Sequence, residues 1–129
     1  MTPVGTAEDL HASATKITGL ADFGAGDYRD GLAVLLDSCA RHAGLTPLGE
    51  RVFRAFLRGA LVARLLSEAG WARHPGYAEV GIERPIFVTG LPRTGTTALR
   101  RLLTADPAHQ GLELWLTEVP QPRDRKSVV

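Results

Sequence analysis

The stretch from Pro85 to Leu103 sets the tightest limit on how this chain can fold. Pro85-Ile86-Phe87-Val88-Thr89 is a short β-branched and aromatic run flanked by Pro85 and Gly90, and such a run predicts a buried strand of an α/β sheet. Gly90 to Thr97 reads as a glycine-containing turn. Ala98, Leu99, Leu102 and Leu103 then repeat at helical spacing, which predicts a helix from about Thr97 to Thr104 with that face on a core. Strand, glycine turn and helix form the geometry of a phosphate cradle. Gly90-Leu-Pro-Arg-Thr-Gly95-Thr96-Thr97 has the G-x-x-x-x-G spacing of a P-loop. A tight loop turns its backbone N–H groups inward, and the following helix points its positive end at the same spot. Gly90 and Gly95 allow torsions and close approaches that a Cβ would hinder. Thr96 and Thr97 add hydroxyl donors, and Arg93 adds a fixed charge able to hold two oxygens of one anion. In a nucleotide triphosphatase loop a lysine follows the second glycine. Here Thr96 stands in that place and the cation has moved into the loop as Arg93. An anion still fits, but the Mg²⁺-dependent kinase or ATPase arrangement does not follow.

The first 80 residues read as helical. Thr6 and Asp9 resemble a capping box, with a short helix to Lys16 or Ile17. Thr18 to Gly26 is a loop. A second helix spans roughly Asp27 to Arg41, with Tyr28, Leu32, Leu35, Leu36 and Cys39 on one face, and Gly44 follows it. Thr46-Pro47 is a helix start of cap hydroxyl then proline. The third helix runs to about Ala69, with Gly70 suited to the position just past its end. Its apolar stripe takes in Val52, Phe53, Phe56, Leu57, Ala60, Leu61, Leu65 and Leu66. Arg51, Arg54, Arg58 and Arg64 around that stripe read as a solvated face. Trp71 to Gly81 is a connector. Beyond Asp106-Pro107, Leu112 to Trp115 reads as a second strand or an extended loop, and Pro120 and Pro122 block regular structure. The expected organisation is a helical region over 1–81, the start of an α/β domain over 82–122 and a disordered tail over 123–129. The fold class is therefore α/β: a helical region followed by the first strand–P-loop–helix unit of an incomplete parallel sheet.

Composition removes several alternatives. The 129 residues are 44% hydrophobic and 22% charged with net charge +1, which excludes a charged disordered chain and gives no electrostatic case for nucleic acid. A single cysteine, Cys39, cannot form an internal disulfide and suits the core better than a nucleophile. His11, His42, His74 and His109 lack metal-ligand spacing and read as surface residues; no metal is expected. No secretory signal and no bilayer-length apolar run is visible, so a cytoplasmic location and no membrane partner are expected.

The residues Arg84-Pro-Ile-Phe-Val-Thr-Gly-Leu-Pro-Arg-Thr-Gly-Thr-Thr-Ala-Leu resemble the 5′-phosphosulfate loop of the bacterial branch of the sulfotransferases that use 3′-phosphoadenylyl sulfate (PAPS). The Ala105-Asp106-Pro107 turn and the Trp115 to Pro120 stretch are similar as well. The resemblance implies that Pro92, Arg93, Thr94, Gly95, Thr96 and Thr97 bind the phosphosulfate, and that Arg93 stabilises charge on the oxygen between phosphate and sulfate as that bond breaks. It implies a glutamate base about one helix beyond the loop, for which Glu113 and Glu118 are the candidates, with Glu113 slightly favoured. It implies PAPS as co-substrate and a small-molecule hydroxyl or amine as acceptor. The family's arginine and serine for the 3′-phosphate lie on segments that this sequence does not contain, so the chain reads as a truncated product or fragment. Two other readings stay open: another P-loop nucleotide enzyme such as a kinase, and a non-catalytic helical remnant. Oligomeric state is open.

Overall fold

The computed structural model describes residues 4–112 and Leu116. Thr6 opens α1 (Ala7–Thr18): its hydroxyl accepts the Asp9 amide at 3.1 Å, and the Asp9 carboxylate accepts the Thr6 amide at 3.0 Å. The expected capping box is therefore present. Gly19, left-handed at φ 70, ends the helix by donating to Thr15, a conformation that suits glycine. The second helix, α2, spans Tyr28–His42. Thr46 caps α3 (Pro47–Arg73) by accepting the Gly49 amide at 3.1 Å, with Pro47 at the first helical position.

Helix α3 does not stop at Gly70 as its sequence predicts. It runs on to Arg73 and ends where Pro75 begins a 3₁₀ turn (Pro75–Glu79). Glycine tolerates a helix interior, whereas proline disfavours helix in the residue before it. Trp71, on the added turn, stacks on Tyr77 at 5.6 Å, so the extension also gains a partner.

The core lies between α1 and α3. Leu10 and Ala14 from α1 join Leu57, Leu61 and Leu65 from α3, with Val4 and Leu36 completing the buried set. α1 packs chiefly on α3, and α2 only lightly on α1. One short helix cannot cover the whole apolar stripe of α3, so Val52 and Phe56 stay outside. Leu35 of α2, expected inside, is exposed, since α2 packs only lightly on its neighbours, while Tyr28, Leu32 and Cys39 pack partly against the core.

Two arginines expected on a solvated face are struts instead. Arg64 donates to the carbonyls of Phe23 and Ala25, sits 3.4 Å from Asp27 and lies 4.3 Å above the Tyr28 ring. It thereby fastens the loop between α1 and α2 onto α3. Arg54 donates to the Val4 carbonyl at 3.0 Å. Carbonyls of an irregular segment need donors, and a long guanidinium supplies several at once. His11, expected at the surface, is half-buried: its ring nitrogens contact the Ala7 carbonyl and the Tyr28 hydroxyl, each at 2.6 Å.

The α/β expectation fails. Among the described residues there is no strand, and 85–90 take no regular structure. Ile86 and Phe87 are exposed rather than buried, Phe87 at 83%. A strand exists only through hydrogen bonds to a neighbour, and no other described segment pairs with this one. β-propensity measures how well a side chain suits a pleated, half-buried surface, and no such surface lies beside it among the described residues. Helix α4 (Thr96–Ala105) has the expected apolar periodicity but no buried residue; Leu99 and Leu102 are exposed. Of the Leu112–Trp115 segment, Leu112 has no regular structure. Glu113 to Trp115, Glu118, Pro120, Pro122 and the 123–129 tail lie outside the described residues.

Two measurements check this account. Leu65 is fully buried and Phe56 is 72% exposed, so Leu65→Ala should lower urea-unfolding stability by about 2–5 kcal/mol and Phe56→Ala by about 0.5 kcal/mol or less. The second is a pH effect. The Asp9 carboxyl is held below the ordinary aspartate range, first by the Thr6 amide, and Glu8 is lowered first by its own backbone hydrogen bond. A carboxyl lowered in the folded state favours folding where it is ionised. That contribution is whole above the ordinary carboxylate range, about pH 4, and is lost as pH falls through the lowered native value. The urea midpoint should therefore drop between about pH 5 and pH 3, and drop less in Asp9→Asn.

Candidate functional site

The loop between Gly90 and α4 is built from local rules. Pro92 fixes its own φ near about −65° and offers no N–H. Arg93 follows in the left-handed region at φ 70, and Gly95 does the same at φ 88. Glycine enters that region freely and arginine does not. The Thr94 hydroxyl donates back to the Leu91 carbonyl at 2.6 Å, closing the turn. Gly90 lies beneath this closure: a Cβ there would come within 2.7 Å of the Thr94 Oγ1 and 3.0 Å of the Thr96 Cγ2.

Gly95 serves as the N-cap of α4, and the first helical bond runs from the Leu99 amide to its carbonyl at 3.0 Å. No side chain caps this end, and no acidic residue lies in the first turn. By contrast, α1 carries Thr6, Glu8 and Asp9 at its start, and α3 carries Thr46 and Glu50. The amides of Thr96, Thr97 and Ala98 thus keep the free donors of a helix start, with the positive end of its dipole behind them. Among the described residues, the Thr96 and Thr97 hydroxyls show no hydrogen bond to a protein partner and the Arg93 side chain no ion pair. All of 90–95 is solvent-exposed, as is Thr97, and Thr96 is half-buried. Such an arrangement can receive a multiply charged oxyanion.

The structure thus brings Pro92, Arg93, Thr94, Gly95, Thr96 and Thr97 into one turn. Glu113 and Glu118 lie outside the described residues. Arg100 was missed by sequence reasoning. Its guanidinium donates to the Leu112 carbonyl at 3.0 Å, tying the segment beyond α4 back onto that helix. Gly111 assists by lying tight against Thr104. An arginine on a helix gives no sequence signal of a carbonyl partner twelve residues on. An open cleft elsewhere is lined by Ala7, Glu8, His11, Arg29, Asp30 and Leu32 and shares no residue with the loop. Among the described residues no group of three metal-ligating side chains gathers, and no helix is long and apolar enough to cross a membrane.

Comparisons with known proteins point one way. A sulfotransferase family profile matches residues 85–128, which contain the whole loop and α4. The crystal structure of sulfotransferase STF1 from Mycobacterium tuberculosis H37Rv (type 1 form) superposes with a TM-score of 0.90 at 62% identity, over 95% of this chain and 34% of that one. Sulfotransferase STF9 from Mycobacterium avium superposes with a TM-score of 0.83 at 35% identity, over 95% of this chain and 30% of that one. A comparison with curated protein sequences gives no match. The chain spans roughly a third of the length of the solved structures it resembles. The likeness extends past the loop into the helices before it: residues 85–128 match the sulfotransferase family, and nearly the whole chain resembles about a third of each of the two solved sulfotransferases.

Proposed function

We propose that this chain carries the phosphosulfate-binding segment of a PAPS-dependent sulfotransferase, acting on a hydroxyl or amine of a small-molecule acceptor. The reading rests on one observation above all. Within the family-matched residues, α4 starts with neither a capping side chain nor an acid, directly behind the Arg93-Thr94-Gly95 turn. The donors present suit a dianion better than a neutral ligand.

PAPS, when bound, supplies an activated sulfuryl group; the rest is the work of this chain's residues. In this reading the amides of Thr94, Gly95, Thr96 and Thr97 hold the 5′-phosphosulfate, helped by the Thr96 and Thr97 hydroxyls. Pro92 stiffens the approach. Arg93 opposes the charge that builds on the bridging oxygen as the sulfur–oxygen bond lengthens. Sulfuryl transfer, like phosphoryl transfer, needs in-line placement and charge stabilisation more than covalent catalysis. Glu113, or else Glu118, takes the acceptor's proton. A metal-free reaction and a cytoplasmic setting go with this reading. The kinase alternative has less support, because Thr96 occupies the place of the lysine that reaches the β- and γ-phosphates.

Calorimetric titration of this chain with adenosine 3′,5′-bisphosphate and with ATP tests the proposal. The bisphosphate should bind more tightly, without Mg²⁺. Arg93→Ala should weaken it by about 1.5–3 kcal/mol, the range of a charge-assisted hydrogen bond, which is roughly 10- to 150-fold. Tighter, Mg²⁺-dependent binding of ATP would reject the sulfotransferase reading in favour of a kinase-like one.

A further inference from the structure

We propose that the Thr94 hydroxyl is a positioning group and not an anion ligand: it clasps the Leu91 carbonyl and so holds Arg93 in the left-handed conformation from which its guanidinium meets the anion. The inference rests on the phosphosulfate reading and refines it.

The first argument is proton counting. A hydroxyl has one proton to donate. That of Thr94 goes to the Leu91 carbonyl at 2.6 Å. Phosphate and sulfate oxygens can only accept, so this hydroxyl has lone pairs alone to offer them. The Thr96 and Thr97 hydroxyls show no such bond among the described residues. The loop's threonines therefore divide: two with hydroxyls able to donate to an anion, one already engaged.

The second argument is backbone strain. Arg93 lies at φ 70, where a Cβ crowds the backbone of an L-residue. Such a conformation persists only where its surroundings impose it. The bond from Thr94 to Leu91 spans this residue and closes the turn around it. Handedness at residue 93 sets the direction in which its side chain leaves the loop, so the clasp sets where the cation points.

The third argument comes from Gly90. A Cβ there would meet the Thr94 Oγ1 at 2.7 Å and the Thr96 Cγ2 at 3.0 Å. Its φ is not positive, so backbone torsion does not demand glycine at this position. The room taken by the clasping hydroxyl does. Gly90 thus belongs to the clasp rather than to the approach of a phosphate.

The experiment uses the full 129-residue chain and four variants: Thr94→Val, Thr94→Ser, Arg93→Ala and the double Arg93→Ala/Thr94→Val. NMR reads the Arg93 intraresidue HN–Hα cross-peak, which is strong in a left-handed residue. Calorimetry reads affinity for adenosine 3′,5′-bisphosphate. Thr94→Val should lose the strong cross-peak and bind about tenfold more weakly. Thr94→Ser, which keeps the hydroxyl, should retain the cross-peak and bind within about twofold of the parent. In the Arg93→Ala background Thr94→Val should add nothing, because a residue acting through another has no effect once that other is gone. An equal tenfold loss in both backgrounds would make the hydroxyl a direct ligand and overturn the proposal. So would a Thr94→Val variant that keeps Arg93 left-handed. If the parent chain binds no bisphosphate, the phosphosulfate reading fails for this chain. The cross-peak of Thr94→Val then still decides the clasp, its loss supporting it and its survival refuting it.

Discussion

The contact between α1 and α3 is the interaction on which the rest of this structure depends. Leu10 and Leu65, one from each helix, are the largest side chains removed fully from water. Apolar burial contributes about 25 cal/mol per Å², and among the described residues every buried apolar side chain except Val4 and Leu36 lies on this seam. Its reach is short. Helix α3 is 27 residues long and α1 only 12, so α1 covers only part of the stripe that α3 presents. The remaining order comes from polar ties. Arg64 holds the loop between α1 and α2, and Arg54 holds the chain ahead of α1. These ties are charge-assisted bonds from guanidinium groups to carbonyls.

The same limit explains the part of the chain that stays without regular structure. Ile86, Phe87 and Val88 are residues of a buried strand by every local measure, and the chain nonetheless leaves Phe87 in water. Helices satisfy their own backbone groups, residue by residue, and need only one neighbour to hide a stripe. A strand cannot satisfy its own backbone at all. The helical segments therefore form around a modest core, while the run from Pro85 to Thr89 does not become a strand.

This asymmetry also decided what could be read from the sequence. The starts of α1 and α3 were legible because a cap is local: Thr6 with Asp9, and Thr46 with Pro47, each lie within four residues. The turn from Gly90 to Thr97 was legible for the same reason, since Pro92 fixes its own φ and Gly95 permits a left-handed one. The end of α3 is not legible at Gly70, which permits a stop without imposing one; Pro75 is the stronger signal. The exposure of Leu35 and Phe56 is not legible either, because periodicity shows that a face is apolar and not whether anything covers it. The roles of Arg64, His11 and Arg100 depend on partners distant in sequence, and nothing in their neighbours in the chain announces them.

The loop from Gly90 to Gly95 stands apart in needing little from the core. Its shape follows from Pro92, the left-handed Arg93 and Gly95, and the Thr94 hydroxyl. Helix α4 behind it is 10 residues long with nothing buried, below the roughly 12–15 residues at which an isolated helix becomes even marginal in water. Its weak point is its start, where the free amides of Thr96, Thr97 and Ala98 face a first turn without acids. At the start of α1 a hydroxyl and two carboxylates meet the same need from within the chain. An oxyanion held at Gly95–Thr97 would do for α4 what Thr6 and Asp9 do for α1. By mass action it would stabilise the ordered loop and helix together by RT ln(1 + [L]/Kd). A helix start left open to a ligand is thus less stable alone, and the free energy withheld by omitting a cap becomes available to binding.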